Sequence, residues 1–344
     1  MTAHSHHARV CVVDPRSESA TVALLQRANV TAHTHVRSFF SLYEVREQNL
    51  ADVIILQYEP GRQFIESLSL AIEKYASLPM VVVIPTEATS LELAAMLQAG
   101  AVDCWRDSMD PVELIARLAR VMELGRDGVR LQRLCQYMSP QVAKLILESD
   151  QDHLFGSVAK RKRLTFLFLD IRNYTQMTDS LPPETISDIL AEYNGGVCKI
   201  VNHFGGSVNK FLGDGLFVTF GDPVPDRDHK LNAIKAALQV RQLVREFSGR
   251  MGHLPRPFHV GIGINSGKAI VGNFGTPTQI DYTAIGPAVN LAARLQGIAQ
   301  TEQIIASRST YEDYLDQVEV ASERAEKVRG LEEPVVVGEI VGLK

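Results

Sequence analysis

Short, largely apolar runs separated by amphipathic stretches recur through the first third of the chain and restrict its fold sharply. The runs are Arg9–Val13, Asp52–Leu56, Met80–Ile84 and Val102–Trp105. Between and after them, Ser17–Ala28, Phe64–Tyr75, Ser90–Gln98 and the segment from Asp110 onward carry helical periodicity, with Pro111 at a first-turn position. A strand that is apolar on both faces must be covered on both faces. Joining such strands side by side in parallel needs a helical crossover. The pattern therefore predicts an α/β domain built on a parallel sheet.

That domain accounts for too little of the 344 residues. At about 150 residues per domain, a second core is required, and the pattern changes at Leu164. Leu164–Leu169 reads as a buried strand ending at Asp170, followed by a long helix over Pro183–His203. Ser207–Leu212 and Leu216–Phe220 flank the tight turn Gly213-Asp214-Gly215, which predicts a hairpin with Asp214 at its tip. A helix over Asp226–Phe247 and strands over His259–Ile264 and Ala269–Asn273 complete an expected α+β domain. Its helices are expected on one face of a mostly antiparallel sheet.

Charge and composition exclude several classes of function. Lys plus Arg is 35 against 40 Asp plus Glu, a net charge of -5, which argues against a general nucleic-acid binder. No apolar run approaches the roughly 20 residues of a membrane helix, and the polar N-terminus lacks a signal-peptide core. Membrane insertion is not expected. The four cysteines lie far apart without CxxC spacing and read as reduced thiols, which predicts a cytoplasmic protein. His4, His6 and His7 read as a polar tail.

Asp170 and Asp214, each at a strand end, can meet on neighbouring strands and hold divalent cations. Magnesium takes a few carboxylates plus substrate phosphates. The turn after Asp170 offers backbone N–H groups to phosphate oxygens.

Residues 8–125 resemble a bacterial receiver domain of the flavodoxin-like type, through Asp52-Val53-Ile54-Ile55-Leu56 and Gly100-Ala101-Val102-Asp103. The receiver chemistry is missing. Gln57 stands where the phospho-acceptor aspartate belongs, Asp107 where the lysine belongs, Ser108 where the proline belongs, and Asp14 is a lone carboxylate. The resemblance implies a degenerate receiver that regulates by docking or dimerisation, with an unknown protein partner, or else an unknown ligand in the same crevice. Residues 126–159 read as a helical linker. Leu131, Leu134 and Met138 resume an apolar stripe after Gly125 and Gly128, which are expected to weaken the helix as a hinge. The stripe suits a short coiled coil or a helix packed on its own domain. Ser139-Pro140 starts a further helix, and Lys160-Arg161-Lys162-Arg163 reads as a solvated boundary.

Three motifs in the second half carry a stronger resemblance. Phe168-Leu169-Asp170-Ile171-Arg172-Asn173-Tyr174-Thr175, Asn209-Lys210-Phe211-Leu212-Gly213-Asp214-Gly215 and Asp281-Tyr282-Thr283 running on to Asn290 and Arg294 resemble the class III nucleotidyl cyclase catalytic domain. The resemblance covers about residues 160–344, and Tyr137–Ala143 is similar to the lead-in before many bacterial members. It implies a ferredoxin-like α+β fold and two Mg2+ or Mn2+ ions per active site, held by Asp170, Asp214 and the Ile171 carbonyl. Lys210 and Thr283 correspond to the base-selecting pair. A lysine donates to adenine N1 and a threonine oxygen accepts from the N6 amine, although a hydroxyl can also donate. Asn290 and Arg294, four apart on one helix face, correspond to the residues that orient the ribose and stabilise the pentacovalent phosphorus. Arg329 falls at the position of a phosphate-binding lysine, and Lys268 is a weaker phosphate candidate. Pro287 replaces a common acidic residue.

The activity implied is that of an adenylate cyclase, from ATP to cyclic AMP and pyrophosphate. The resemblance also implies a homodimer whose sites take Asp170 and Asp214 from one chain and Lys210, Thr283, Asn290, Arg294 and Arg329 from the other. A guanylate cyclase is disfavoured by Lys210, and a diguanylate cyclase by the non-acidic Gly205-Gly206-Ser207-Val208-Asn209. A catalytically silent scaffold is disfavoured by the intact residue set.

Overall fold

The computed structural model describes residues 9–14, 20–30, 33–36, 51–75, 78–148, 159–250, 258–276, 278–328 and 333–344. The chain divides into two compact units, Met1–Tyr137 and Met138–Lys344.

The first unit holds strands β1 (Val10–Val13), β2 (His33–Val36), β3 (Val53–Gln57), β4 (Met80–Ile84) and β5 (Asp103–Arg106). All pair in parallel in the order β2-β1-β3-β4-β5. Its helices are α1 (Ala20–Arg27), α2 (Arg62–Lys74), α3 (Ser90–Gln98) and α4 (Pro111–Cys135). The expected alternation is present, with β2 as an additional edge strand whose polar His-Thr-His sequence hid it. Burial follows the pleat. Ile54 and Leu56 join a core under α2 and α3, while Val53 and Ile55 join the core under α1 and α4.

Helix α4 begins on an Asp110 cap that accepts from the N–H groups of Val112 and Glu113 at 2.8 and 3.4 Å. It then runs unbroken through Gly125 and Gly128, so the expected hinge is absent. Gly125 has a packing reason instead: a Cβ there would lie 2.8 Å from Pro79 and 3.4 Å from the Asp52 carbonyl. At the sheet's C-terminal edge, Gln57 is consumed internally. Its Oε1 accepts from the Thr21 N–H at 3.2 Å and hydroxyl at 2.7 Å, and its Nε2 donates to the Val83 carbonyl at 3.3 Å. Thr86 donates to Asp107 at 2.6 Å.

The second unit contains helix α5 (Pro140–Glu148), β6 (Lys160–Ile171), α6 (Tyr174–Thr178), α7 (Pro183–His203), β7 (Gly206–Leu212), β8 (Gly215–Phe220) and α8 (His229–Arg250). It continues with β9 (Val260–Thr276), β10 (Gln279–Ile285), α9 (Pro287–Ile298), β11 (Ile304–Ser307), α10 (Arg308–Tyr311), β12 (Val318–Glu326) and β13 (Val335–Leu343). The sheet order is β12-β13-β11-β9-β6-β8-β7, with β10 on β9. All pairs are antiparallel except β11 with β9.

Three details differ from the sequence expectation. First, β9 is one long strand rather than two. Its polar Asn265-Ser266 interruption is buried and satisfied: Asn265 donates to the Ala288 carbonyl at 2.8 Å, and Ser266 Oγ lies 2.7 Å from Thr165 Oγ1. Second, the helices cover both faces. Leu167, Leu169 and Ile171 face α7 and α8, whereas Leu164 and Phe166 face α9. Third, Lys160–Arg163, exposed as expected at Lys160, Arg161 and Arg163, is already the start of β6, paired with Lys268–Val271. Lys162 also makes an ion pair with the buried Asp222.

Helix α5 is tied to the hairpin that follows. The Ser139 and Ser207 hydroxyls lie 2.7 Å apart, and Gln141 donates to Asn202 and to the Gly206 carbonyl, each at 3.1 Å.

Candidate active site

Asp170 closes the C-terminal end of β6 and faces Gly215 of β8 and Gly261 of β9. Asp214 follows Gly213, whose φ of 70° gives the β7–β8 hairpin its tight turn. Gly215 makes room for the pair, because a Cβ there would lie 3.1 Å from Asp170 Oδ1. The two carboxyl groups stand within hydrogen-bonding reach of each other. Burial, and then the neighbouring Asp214 charge, push Asp170 up to about 6. Among the described residues the compensating charge is Arg172, 4.0 Å away and itself donating to the Gln296 carbonyl at 2.5 Å.

A carboxylate pair held against its own repulsion fits a divalent cation. Among the described residues no group of three or more His, Cys, Asp or Glu side chains gathers, so further ligands must come from carbonyls, water or substrate phosphates. Ile171, whose carbonyl was the third expected ligand, is the last residue of β6 and is buried.

A second feature lies beside β10. A cavity of about 480 Å³ is lined by Lys210, Asp281 and Thr283, with Phe168, Phe217 and Val289 among its apolar walls. Phe168 and Phe217 stack with centroids 4.6 Å apart and planes 8° from parallel. This flat apolar surface suits a purine face. Lys210 donates to Asp281 in an ion pair, and the Thr283 hydroxyl donates to Asn209 Oδ1 at 2.8 Å. Strand alternation separates Tyr282 from these two: its hydroxyl donates to Asp222 at 2.6 Å, anchoring β10 from its other side. Sequence reasoning assigned no role to Asp281, Asn209, Phe168 or Phe217. Their positions inside the quoted motifs, or opposite them on β8, were the available signal.

Asn290 and Arg294 sit one turn apart on α9, Asn290 exposed and Arg294 half-buried. The helix lies directly on the backbone of β9. A Cβ at Gly263 would fall 2.0 Å from the Gln296 nitrogen, and one at Gly267 would fall 2.7 Å from Ala288 Cβ. Arg172 crosses Gly261 at the far end of the same contact, 1.8 Å from where a Cβ would stand. Lys268 is exposed on β9 opposite Arg163 and is not part of the cavity lining. Arg329, like His4, His6 and His7, lies outside the described residues.

The signature of the adenylate and guanylate cyclase catalytic domain matches residues 157–337. The chain belongs to this family.

The chain is 28% identical over 247 residues to adenylate cyclase 1 of Rhizobium meliloti, covering 69% of this chain and 36% of that protein. It is 32% identical over 197 residues to an adenylate cyclase of Anabaena cylindrica, covering 53% and 37%. The chain thus spans just over a third of these two relatives' length. Two solved structures align at 32% identity and a TM-score of 0.52 over 54% of this chain. They are the adenylyl cyclase CyaB from P. aeruginosa, 97% covered, and the guanylyl cyclase Cya2, 95% covered. An adenylyl and a guanylyl cyclase thus align equally well. Among the described residues, no helix is long and apolar enough to cross a membrane.

Proposed function

We propose that this protein is an adenylate cyclase, converting ATP to cyclic AMP and pyrophosphate at sites shared between two copies of the chain. The observation that carries the reading is the cavity beside β10, whose lining combines Lys210 and Thr283 with the stacked Phe168 and Phe217 rings. A lysine can only donate, which suits the N1 acceptor of adenine and opposes the N1–H of guanine.

In the reaction the ribose 3′-oxygen forms a bond to the α-phosphorus, the bond from that phosphorus to the β-phosphate oxygen breaks, and pyrophosphate leaves. Asp170, Asp214 and the Ile171 carbonyl would hold two Mg2+ or Mn2+ ions, which supply activation of the 3′-hydroxyl and neutralisation of the triphosphate. Lys210 and Thr283 hold the base. Asn290 orients the ribose, Arg294 donates to the phosphoryl oxygens as negative charge builds on them, and Arg329 and Lys268 are the candidates for the terminal phosphates. The N-terminal unit is a degenerate receiver that regulates without phosphorylation. Gln57 is an amide, and its hydrogen bonds are taken up by Thr21 and Val83.

Purified full-length chain with Mn2+ should form cyclic AMP from ATP and much less cyclic GMP from GTP. Asp170→Ala and Asp214→Ala should each remove nearly all turnover while leaving the circular-dichroism spectrum intact. Equal use of both nucleotides by the unaltered chain would reject the base assignment, and near-normal turnover in either aspartate variant would reject the metal assignment.

A further inference from the structure

We infer that Asn209 is a specificity-determining positioning residue: it locks the Thr283 hydroxyl as a hydrogen-bond acceptor toward the base, and so makes the site adenine-selective. The inference rests on the proposed base-binding role of the cavity and explains how that role is enforced.

A threonine hydroxyl has one proton and two lone pairs, so alone it accepts from the adenine N6 amine or donates to guanine O6 with equal ease. Here its choice is made for it. The carbonyl of Tyr282 lies 3.5 Å from the Asn209 amide, and a carbonyl can only accept. The side of Asn209 that meets Tyr282 is therefore its Nδ2, which turns Oδ1 toward Thr283. Oδ1 in turn can only accept, so the Thr283 proton is committed to it at 2.8 Å. Only lone pairs of Thr283 remain for a ligand in the cavity that this residue lines.

The backbone explains how Asn209 reaches this place. The β7–β8 register shifts between Val208 and Lys210, leaving Asn209 as an inserted residue. In a regular strand Asn209 and Lys210 would point to opposite faces. The bulge re-aims one of them, so that both contact β10: Asn209 through Thr283 and Lys210 through Asp281. The cavity lining then carries a donor in Lys210 and an acceptor in Thr283, the two polarities that adenine N1 and the N6 amine need. Guanine would set its N1–H against the lysine and its O6 against lone pairs.

The test compares kcat/KM of the full-length protein for ATP, GTP and purine riboside triphosphate, which lacks any 6-substituent. Asn209→Ala frees the hydroxyl, and Asn209→Leu does so while keeping the volume, should alanine loosen the hairpin. Either should lower the ATP-to-GTP ratio by about tenfold, the order expected when one buried polar mismatch is relieved. The 6-unsubstituted analogue should be used as before. Because the effect passes through Thr283, Asn209→Ala should change the ratio no further in a Thr283→Val background. An unchanged ratio, an equal loss with all three nucleotides, or the same shift in the Val background would overturn the inference. A wild type that prefers GTP would instead overturn the adenylate reading itself.

Discussion

At the scale of single residues, Asp170 is the group most displaced from its ordinary behaviour among those of the proposed site. Its carboxyl titrates near 6 instead of 3.8, because burial and Asp214 both disfavour its charge. In the folded chain it therefore holds its proton through a pH window in which the unfolded chain has already released it. Its contribution to the stability of the metal-free protein should fall as pH rises from about 3.8 to about 6 and flatten above that, against the opposite trend from Asp52, Glu92 and Glu302, whose carboxyls are held below their usual range. Denaturant titrations across this window should show the parent losing stability relative to Asp170→Asn, whose amide does not titrate. Added Mg2+ should stabilise the parent more above the window than below it, since protons and cations compete for the same oxygens. A difference between parent and Asp170→Asn that stays flat across the window would mean that the fold does not hold the Asp170 proton.

At the scale of elements, the decisive contact is helix on bare strand. Gly263 and Gly267 let α9, which carries Asn290 and Arg294, approach β9 to backbone distance, while Asn265 holds the Ala288 carbonyl at the helix start. Gly263→Ala must lift the helix or distort the strand, an overpacking cost of about 1–3 kcal/mol. We expect a lowered Tm together with a kcat loss larger than any change in KM. In the first unit, Gly125→Ala drives a methyl into Pro79 and should destabilise that unit by a similar amount, whereas Gly128→Ala, with open space around it, should be neutral or slightly stabilising. Differential scanning calorimetry separates the two outcomes. If both alanines stabilise, α4 is not packed through Gly125.

At the scale of the whole molecule, the natural cut follows Tyr137, because α4 runs on to Cys135 and belongs to the first unit. Fragment 138–344 keeps α5 and its Ser139 and Gln141 contacts with β7 and α7. It should fold and bind nucleotide, and it should differ from the full chain in dimer affinity and specific activity if the N-terminal unit regulates. Identical values by sedimentation and by assay would leave that unit a docking role only. Mixing Asp170→Ala with Arg294→Ala chains should restore activity to well above either parent, since one site per heterodimer is then intact. No recovery in heterodimers shown to form would reject the shared site.

The linear order of residues determined more of this protein than its weak overall identity to relatives would suggest. Apolar runs of four or five residues alternating with amphipathic stretches fit buried strands with helical crossovers, so the parallel sheet was legible from Val53–Leu56, Met80–Ile84 and the helical periodicity between them. Carboxylates at strand ends and a glycine-flanked turn made Asp170 and Asp214 legible as a pair, because the chemistry of these residues is local to their motif. What tertiary structure alone decided were properties belonging to two segments at once. Gly125 looked like a hinge until Pro79 appeared against it. Lys160, Arg161 and Arg163 are exposed, as their charge suggests, but only β9 shows that they belong to a strand and only Asp222 gives Lys162 a partner. The polarity of the Thr283 hydroxyl is of the same kind. Threonine donates or accepts with equal ease, and only a bulge in a distant strand, bringing Asn209 to its side, chooses between them.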